Sequence, residues 1–244
     1  MVDNVTCLIL AGGLGTRLGS LVKDIPKPML KVNKRPFLEY LIYQVRLFGI
    51  KDVIICLGHK GEIIENYFSN GENYGLRIRY SKEKDLLGTA GALANAKQFI
   101  NSDPFVVMNG DSFCDVDFKE LLIEHRLHKA SGTVVVTHMD DCSRYNCLTF
   151  DDNGAITSFN EKEEKSAHSF INGGIYVFKK TVLNFIPSMK FCSLEKDIFP
   201  KLAQCGLRIF RTCGLFIDIG IPFDLERAAD YLKTFRIKDV AARI

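Results

Sequence analysis

The chain has 244 residues, 47% of them apolar and 25% charged, which suits one large globular domain and excludes bulk disorder. Its 32 Lys and Arg against 29 Asp and Glu leave a net charge of +3, too small a basic bias for a duplex-binding surface. No apolar run approaches the roughly 18–20 residues that cross a bilayer, so neither nucleic acid nor a membrane is expected as a partner.

Short β-rich apolar runs alternate with helical spacing through the first half. Residues 5–11 read as a buried strand and 36–48 as a helix, with Phe37, Leu38, Leu41, Ile42, Val45 and Phe48 on one face and Gly49 after its end. Then come a strand at 53–57, a helix at 62–68, a strand at 76–80, an Ala-rich helix at 89–99, a strand at 104–108, a helix at 118–129 and a strand at 133–138. Alternation of this kind builds βαβ units and a parallel sheet covered on both faces. Beyond about residue 140 the pattern changes. Strands at 148–150 and 155–160 flank Asp151-Asp152-Asn153-Gly154, a hairpin turn. Strands at 171–178, 207–211 and 215–219 and helices at 194–204 and 222–234 follow, and 236–244 reads as a weakly basic tail.

The eight cysteines, at 7, 56, 114, 142, 147, 192, 205 and 213, include no Cys-x-x-Cys pair. A zinc ribbon or redox dithiol is not expected. Several lie inside apolar runs, where cysteine acts as a small core residue, so free thiols in a reducing cytoplasm are expected. The start, Met1-Val2-Asp3-Asn4-Val5, lacks the basic-then-apolar pattern of an export signal. His125 and His128 share a helix with charged neighbours and read as a solvated face.

In open α/β sheets ligands bind beyond the carboxyl ends of the strands. After the first strand comes Ala11-Gly12-Gly13-Leu14-Gly15-Thr16-Arg17-Leu18. Its glycines let backbone N–H groups approach phosphate oxygens, and Arg17 adds a planar fork. The dinucleotide fingerprint would need glycine at Leu18, and no P-loop lysine follows. Lys27 stands between Pro26 and Pro28, on a stiff backbone that preorganises its ammonium. After the fourth strand, Asn109-Gly110-Asp111-Ser112 places an acid where Mg²⁺ could bind. Asp218, between Ile217 and Ile219, is a carboxylate that needs a partner or a metal.

Leu10 through Leu18, followed by Pro26-Lys27-Pro28-Met29, resembles the N-terminal motif of the sugar-1-phosphate nucleotidyltransferases. Leu87-Gly88-Thr89-Ala90-Gly91-Ala92-Leu93, Asn109-Gly110-Asp111, Glu161-Lys162, Asn172-Gly173-Gly174-Ile175-Tyr176 and Asp218-Ile219-Gly220 match in the family's order, over roughly residues 5–232. Ser193 through Pro200, Phe216 through Gly220 and Ser81-Lys82-Glu83, five residues before Gly88, look most like the guanylyltransferase branch; the resemblance makes Glu83 the candidate acceptor for the two adjacent N–H donors of guanine. The resemblance implies a single-domain, Rossmann-like α/β fold with a mixed, mostly parallel sheet flanked by helices, spanning residues 1–235. Residues 1–112 would form mainly the nucleotide half and 113–235 mainly the sugar half. It implies Mg²⁺, GTP and a sugar 1-phosphate, foremost a heptose and next mannose, and release of pyrophosphate. Leu10, Ala11, Gly12, Gly13, Gly15, Thr16 and Arg17 would cradle the nucleotide, with Gly88 and Thr89 at the base. Arg17, Lys27 and Asp111 would carry catalysis, and Asp111 and Asp218 the metal. Asn109, Asn146, Glu161, Lys162, Asn172 and Gly173 would hold the sugar phosphate. Tyr145-Asn146 departs from the family's frequent Tyr-Gly beside the sugar. A nucleotide-sugar-binding regulatory subunit without catalysis is the reading from another class, and a homo-oligomer stays open.

Overall fold

The computed structural model describes residues 4–139, 145, 147–160 and 169–233. Asn146, Glu161, Lys162 and the 236–244 tail lie outside the described residues. In chain order the first half holds β1 (Thr6–Leu10), a hairpin of β2 (Lys31–Val32) and β3 (Arg35–Pro36), α1 (Phe37–Leu47), β4 (Asp52–Leu57), α2 (Gly61–Phe68), β5 (Arg77–Lys82), α3 (Gly88–Ala96), β6 (Phe105–Asn109), β7 (Ser112–Cys114) and α4 (Phe118–Leu127). The second half holds β8 (Gly132–Met139), β9 (Cys147–Phe150), β10 (Ile156–Asn160), β11 (Ser169–Phe178), α5 (Phe199–Ala203), β12 (Leu207–Thr212), β13 (Phe216–Asp218) and α6 (Pro222–Tyr231).

β5, β4, β1 and β6 lie side by side and parallel, as expected of βαβ units. The apolar runs of β1, β4 and β6 are unbroken because both faces are covered, while the edge strand β5 carries Arg77, Arg79 and Lys82. Cys7 and Ile9 face one core with α1, α2 and α4, while Leu8 faces a second core with α3 and α5. The direction reverses at β11, which runs antiparallel to β6 on one edge and to β8 on the other, and β12 returns parallel to β8. The β9–β10 hairpin adds antiparallel strands to the amino-terminal part of β11. Asp151 Oδ1 accepts the N–H groups of Asn153 and Ala155, which closes the expected turn.

Two expectations are corrected. The helix at 194–204 is a π-helical turn, Leu194–Ile198, followed by α5. Pro200 in the first turn of α5 has no N–H for an intrahelical bond, and its ring crowds the preceding turn. His125 is not solvated: it is 2% exposed, and its Nδ1 lies 2.9 Å from Thr133 Oγ1. It completes the buried face of α4 with Phe118, Leu121 and Leu122, at helical spacing. His128, three residues on, is exposed and stands 3.2 Å from Glu124.

The described cysteines are free thiols. Among the described residues, no helix is long and apolar enough to cross a membrane.

Candidate active site

The carboxyl ends of β1, β4 and β6, together with the start of α3, enclose a cleft of about 330 Å³. This is where an open α/β sheet places its ligand. Leu10, Ala11, Gly12, Gly13, Gly15, Thr16, Arg17, Lys27, Glu83, Gly88, Thr89, Asn109 and Asp111, all singled out from sequence, line this one cleft.

Neighbouring strand ends are drawn together at its floor. The Ala11 N–H donates to Cys56 O at 2.9 Å and the Gly110 N–H to Leu10 O at 2.9 Å. A Cβ at Gly12 would collide with Glu83 Oε1 and force that carboxylate to shift. Gly15, at φ 64°, turns the loop into the 3-10 stretch Thr16–Val22. Arg17 stands exposed at the rim, close enough for its charge to act on Asp218.

The charged centre has three members. Lys27 opens a 3-10 turn, Lys27–Met29, and is 6% exposed. Its Nζ donates to Asp111 Oδ2 at 2.7 Å and lies 4.0 Å from Asp218 Oδ1. Asp218 reaches the centre because β13 pairs antiparallel with β7, which sets Asp218 opposite Ser112, and the Ile219 N–H donates to Asp111 O at 3.0 Å. Burial, then the negative charge of Asp111, push the Asp218 carboxyl above the usual carboxylate range. Lys27, the Gly220 N–H and Arg17 oppose that rise. The donor set fits Mg²⁺: two hard carboxylates share a single cation position, and phosphates would supply further oxygens. Among the described residues no group of three or more His, Cys, Asp or Glu could hold a metal without such help.

On the α3 side, Glu83 is fixed by its own N–H, which donates to Leu57 O at 2.9 Å, and by Oε2, which accepts the Leu87 N–H at 2.7 Å. Burial raises its carboxyl above the ordinary value. One oxygen is thus engaged by the chain while Oε1 faces Gly12. Cys56 also lines the cleft, but burial pushes its thiol up to about 12, so it is no nucleophile at neutral pH.

Behind the cleft runs a network that sequence reasoning missed. Thr89 Oγ1 donates to Glu195 Oε2 at 3.1 Å and accepts the Leu194 N–H at 2.7 Å. Ser193 Oγ donates to the same Oε2 at 2.9 Å, and the Tyr176 hydroxyl to Glu195 Oε1 at 3.5 Å. Asn172 Nδ2 donates to Tyr176 Oη at 2.7 Å, and its Oδ1 accepts the Gly174 N–H at 2.9 Å. Asn172 therefore spends its amide within the protein, beside the irregularity of β11 between residues 172 and 176. Neither it nor Gly173, which packs against Cys114, lines the cleft. Asn109 Oδ1 and Ser112 Oγ are buried without a hydrogen-bond partner among the described residues; Asn109 belongs to the cleft lining and Ser112 lies behind it. Glu195 lies within Ser193 through Pro200, the stretch that resembles the guanylyltransferase branch, but its charged neighbours read locally as surface and gave it no role. Gly220, Leu86 and Ala92 also line the cleft.

Comparison with known proteins agrees with this geometry. The nucleotidyl transferase family model matches residues 6–234. The D-glycero-alpha-D-manno-heptose 1-phosphate guanylyltransferase of Campylobacter jejuni is 38% identical over 217 residues, 89% of this chain and 95% of that one. The mannose-1-phosphate guanylyltransferase catalytic subunit beta of Xenopus tropicalis is also 38% identical, over 95% of this chain and 66% of the relative. Among solved structures, HddC from Yersinia pseudotuberculosis, crystallised with GMP-PN, superposes with a TM-score of 0.82 at 33% identity, over 93% of this chain and 98% of that one. With its glycine loop, its Lys27 and its paired aspartates at the sheet's carboxyl edge, the chain belongs to the nucleotidyl transferase family.

Proposed function

We propose that this chain transfers a guanylyl group from GTP to a sugar 1-phosphate and releases pyrophosphate. The sugar is D-glycero-α-D-manno-heptose, and mannose is the second reading. The observation that carries the proposal is the convergence of Lys27, Asp111 and Asp218 beside the glycine loop. The Campylobacter jejuni relative supports the heptose, and the Xenopus tropicalis relative, equally identical, supports mannose.

A phosphate oxygen of the sugar phosphate attacks the α-phosphorus of GTP, and the bond from that phosphorus to the β-phosphate oxygen breaks. No strong general base is required, because a sugar phosphate with a second pKa of about 6 is already a charged nucleophile. Repulsion between two anions is the obstacle, so positioning and charge neutralisation do most of the work. The N–H groups of residues 12–16 face the phosphates, while Arg17 and Lys27 neutralise the departing pyrophosphate. Asp111 and Asp218 would hold Mg²⁺, which when bound supplies charge neutralisation and alignment at the α-phosphate. Glu83 accepts the N–H donors of guanine through Oε1 and the free lone pair of Oε2. Asn109 offers Oδ1 as an acceptor for a sugar hydroxyl, and Asn146, Glu161 and Lys162 complete the sugar side, with Asn172 and Gly173 supporting it from behind the cleft. In this reading residues 1–112 supply most of the nucleotide side and 113–235 most of the sugar side, and the free thiols support a reaction in the cytoplasm.

The test is pyrophosphate release over a matrix of GTP, ATP, CTP and UTP against heptose, mannose and glucose 1-phosphates. The highest kcat/KM is expected with GTP and heptose 1-phosphate. A maximum at mannose 1-phosphate selects the second reading, and no release with any pair leaves a nucleotide-binding regulatory protein.

A further inference from the structure

The cation held between Asp111 and Asp218 in this structure is the Lys27 ammonium. Its Nζ is 2.7 Å from one carboxylate and 4.0 Å from the other, and the side chain is only 7% exposed. Its backbone is pinned. Pro26 and Pro28 flank it, the Met29 N–H donates to Pro26 O at 2.8 Å, and the Leu30 N–H donates to Lys27 O at 3.1 Å. Gly15 packs against its stem, and Gly220 flanks Nζ. Only the four-carbon stem is left to move. Because Lys27 lines the cleft, a swing of that stem carries the ammonium toward the space beside the glycine loop.

Charge decides what else this pocket can take. Two carboxylates and one ammonium sum to minus one. A dication added to the empty pocket would meet Lys27 at contact distance and leave an excess of positive charge in a partly desolvated place, where such repulsion is strong. A nucleoside triphosphate reverses the balance. It offers Lys27 a phosphate oxygen and brings enough negative charge for both cations to stay.

We propose that Lys27 is the resident counter-ion of the aspartate pair: in the empty protein it caps Asp111 and Asp218 against divalent cations, and it releases them when a triphosphate draws its ammonium away. This rests on the reading that the two aspartates are the metal ligands. It makes nucleotide a precondition for tight metal binding at the pair, and by reciprocity the metal tightens nucleotide.

The experiment measures Mn²⁺ binding by electron paramagnetic resonance in the full chain without nucleotide. Lys27→Met, which keeps the stem and removes the charge, should bind Mn²⁺ on the order of tenfold or more tightly than the parent. Adding Asp111→Asn to that variant should abolish the gain. Equal or weaker binding by folded Lys27→Met overturns the proposal. Should Lys27→Met not fold, Lys27→Gln replaces it and the parent supplies an independent reading. Millimolar Mn²⁺ should leave the parent's melting midpoint unmoved, and a rise that Asp218→Asn removes overturns the proposal. The metal reading fails separately, if Asp111→Asn leaves Mn²⁺ retention in the GTP complex unchanged.

Discussion

The glycine-loop side of the cleft and the layer behind it are both polar, yet they are made differently. On the glycine-loop side the polar groups come from short consecutive stretches at strand ends, residues 10–17 and 109–111 with Lys27, and several are exposed or half-exposed. The layer behind, Asn172, Tyr176, Glu195 and Thr89, joins distant segments through side chains that satisfy one another. His125 and Thr133 form a smaller buried contact elsewhere, in which Nδ1 is partnered and Nε2 is not. Charges facing a cleft can be removed with little damage to the fold, because water or a ligand takes their place. Part-buried side chains whose hydrogen bonds go to one another lose more, because each deletion orphans a partner.

Asp111→Asn is the strongest test of that contrast. Turnover should fall by about a thousandfold or more in a pyrophosphate-release assay, the scale of lost charge stabilisation at a phosphoryl centre. Stability should change by less than about 1 kcal/mol in a thermal melt, since Lys27 keeps Asp218 and an amide oxygen and the repulsion between the two carboxylates is relieved. A large loss of stability would erase the distinction between the two regions.

The buried counterpart is read by pH. Burial, then the charges of Lys179 and Arg126, lower His125 from 6.5 to about 4. The unfolded chain therefore takes up the proton first as pH falls. The contribution of neutral His125 is fully present above about 6.5 and is lost on the way down to about 4, on the order of 3 kcal/mol in all. His125→Gln should flatten urea-midpoint profiles across that window, and an undiminished slope would remove His125 as their cause.

Tyr176→Phe takes one hydroxyl from the network and strips a partner from Asn172 and Glu195. A loss of about 2 kcal/mol is expected in denaturant titration, with kcat within a few-fold of the parent. The reverse pattern would move Tyr176 into the reacting site.

The smallest effect sharpens the glycine-loop side. Glu83→Gln keeps an acceptor for the Leu87 N–H but turns an amide donor toward the base. The GTP-over-ATP ratio of kcat/KM should drop about tenfold, equal to roughly 1.4 kcal/mol. An unchanged ratio takes Glu83 out of the base pocket.

Much of this was decided by residues adjacent in the chain. Unbroken apolar runs determined β1, β4 and β6, Asn153-Gly154 determined the hairpin, and the glycine loop with Lys27 and Asp111 marked the cleft. These are local matters of backbone conformation and of which strand ends face solvent. Other features were present in the chain and misled by residue type. The spacing 118, 121, 122, 125 carries His125 into the core, yet its charged neighbours suggested water. Tertiary structure alone set Asp218 beside Lys27, through the β7–β13 pairing, and joined Thr89 to Glu195 and Tyr176. Such contacts depend on how distant strands register and cross. No local preference encodes that outcome, because it is settled by the packing of the whole sheet and its two cores.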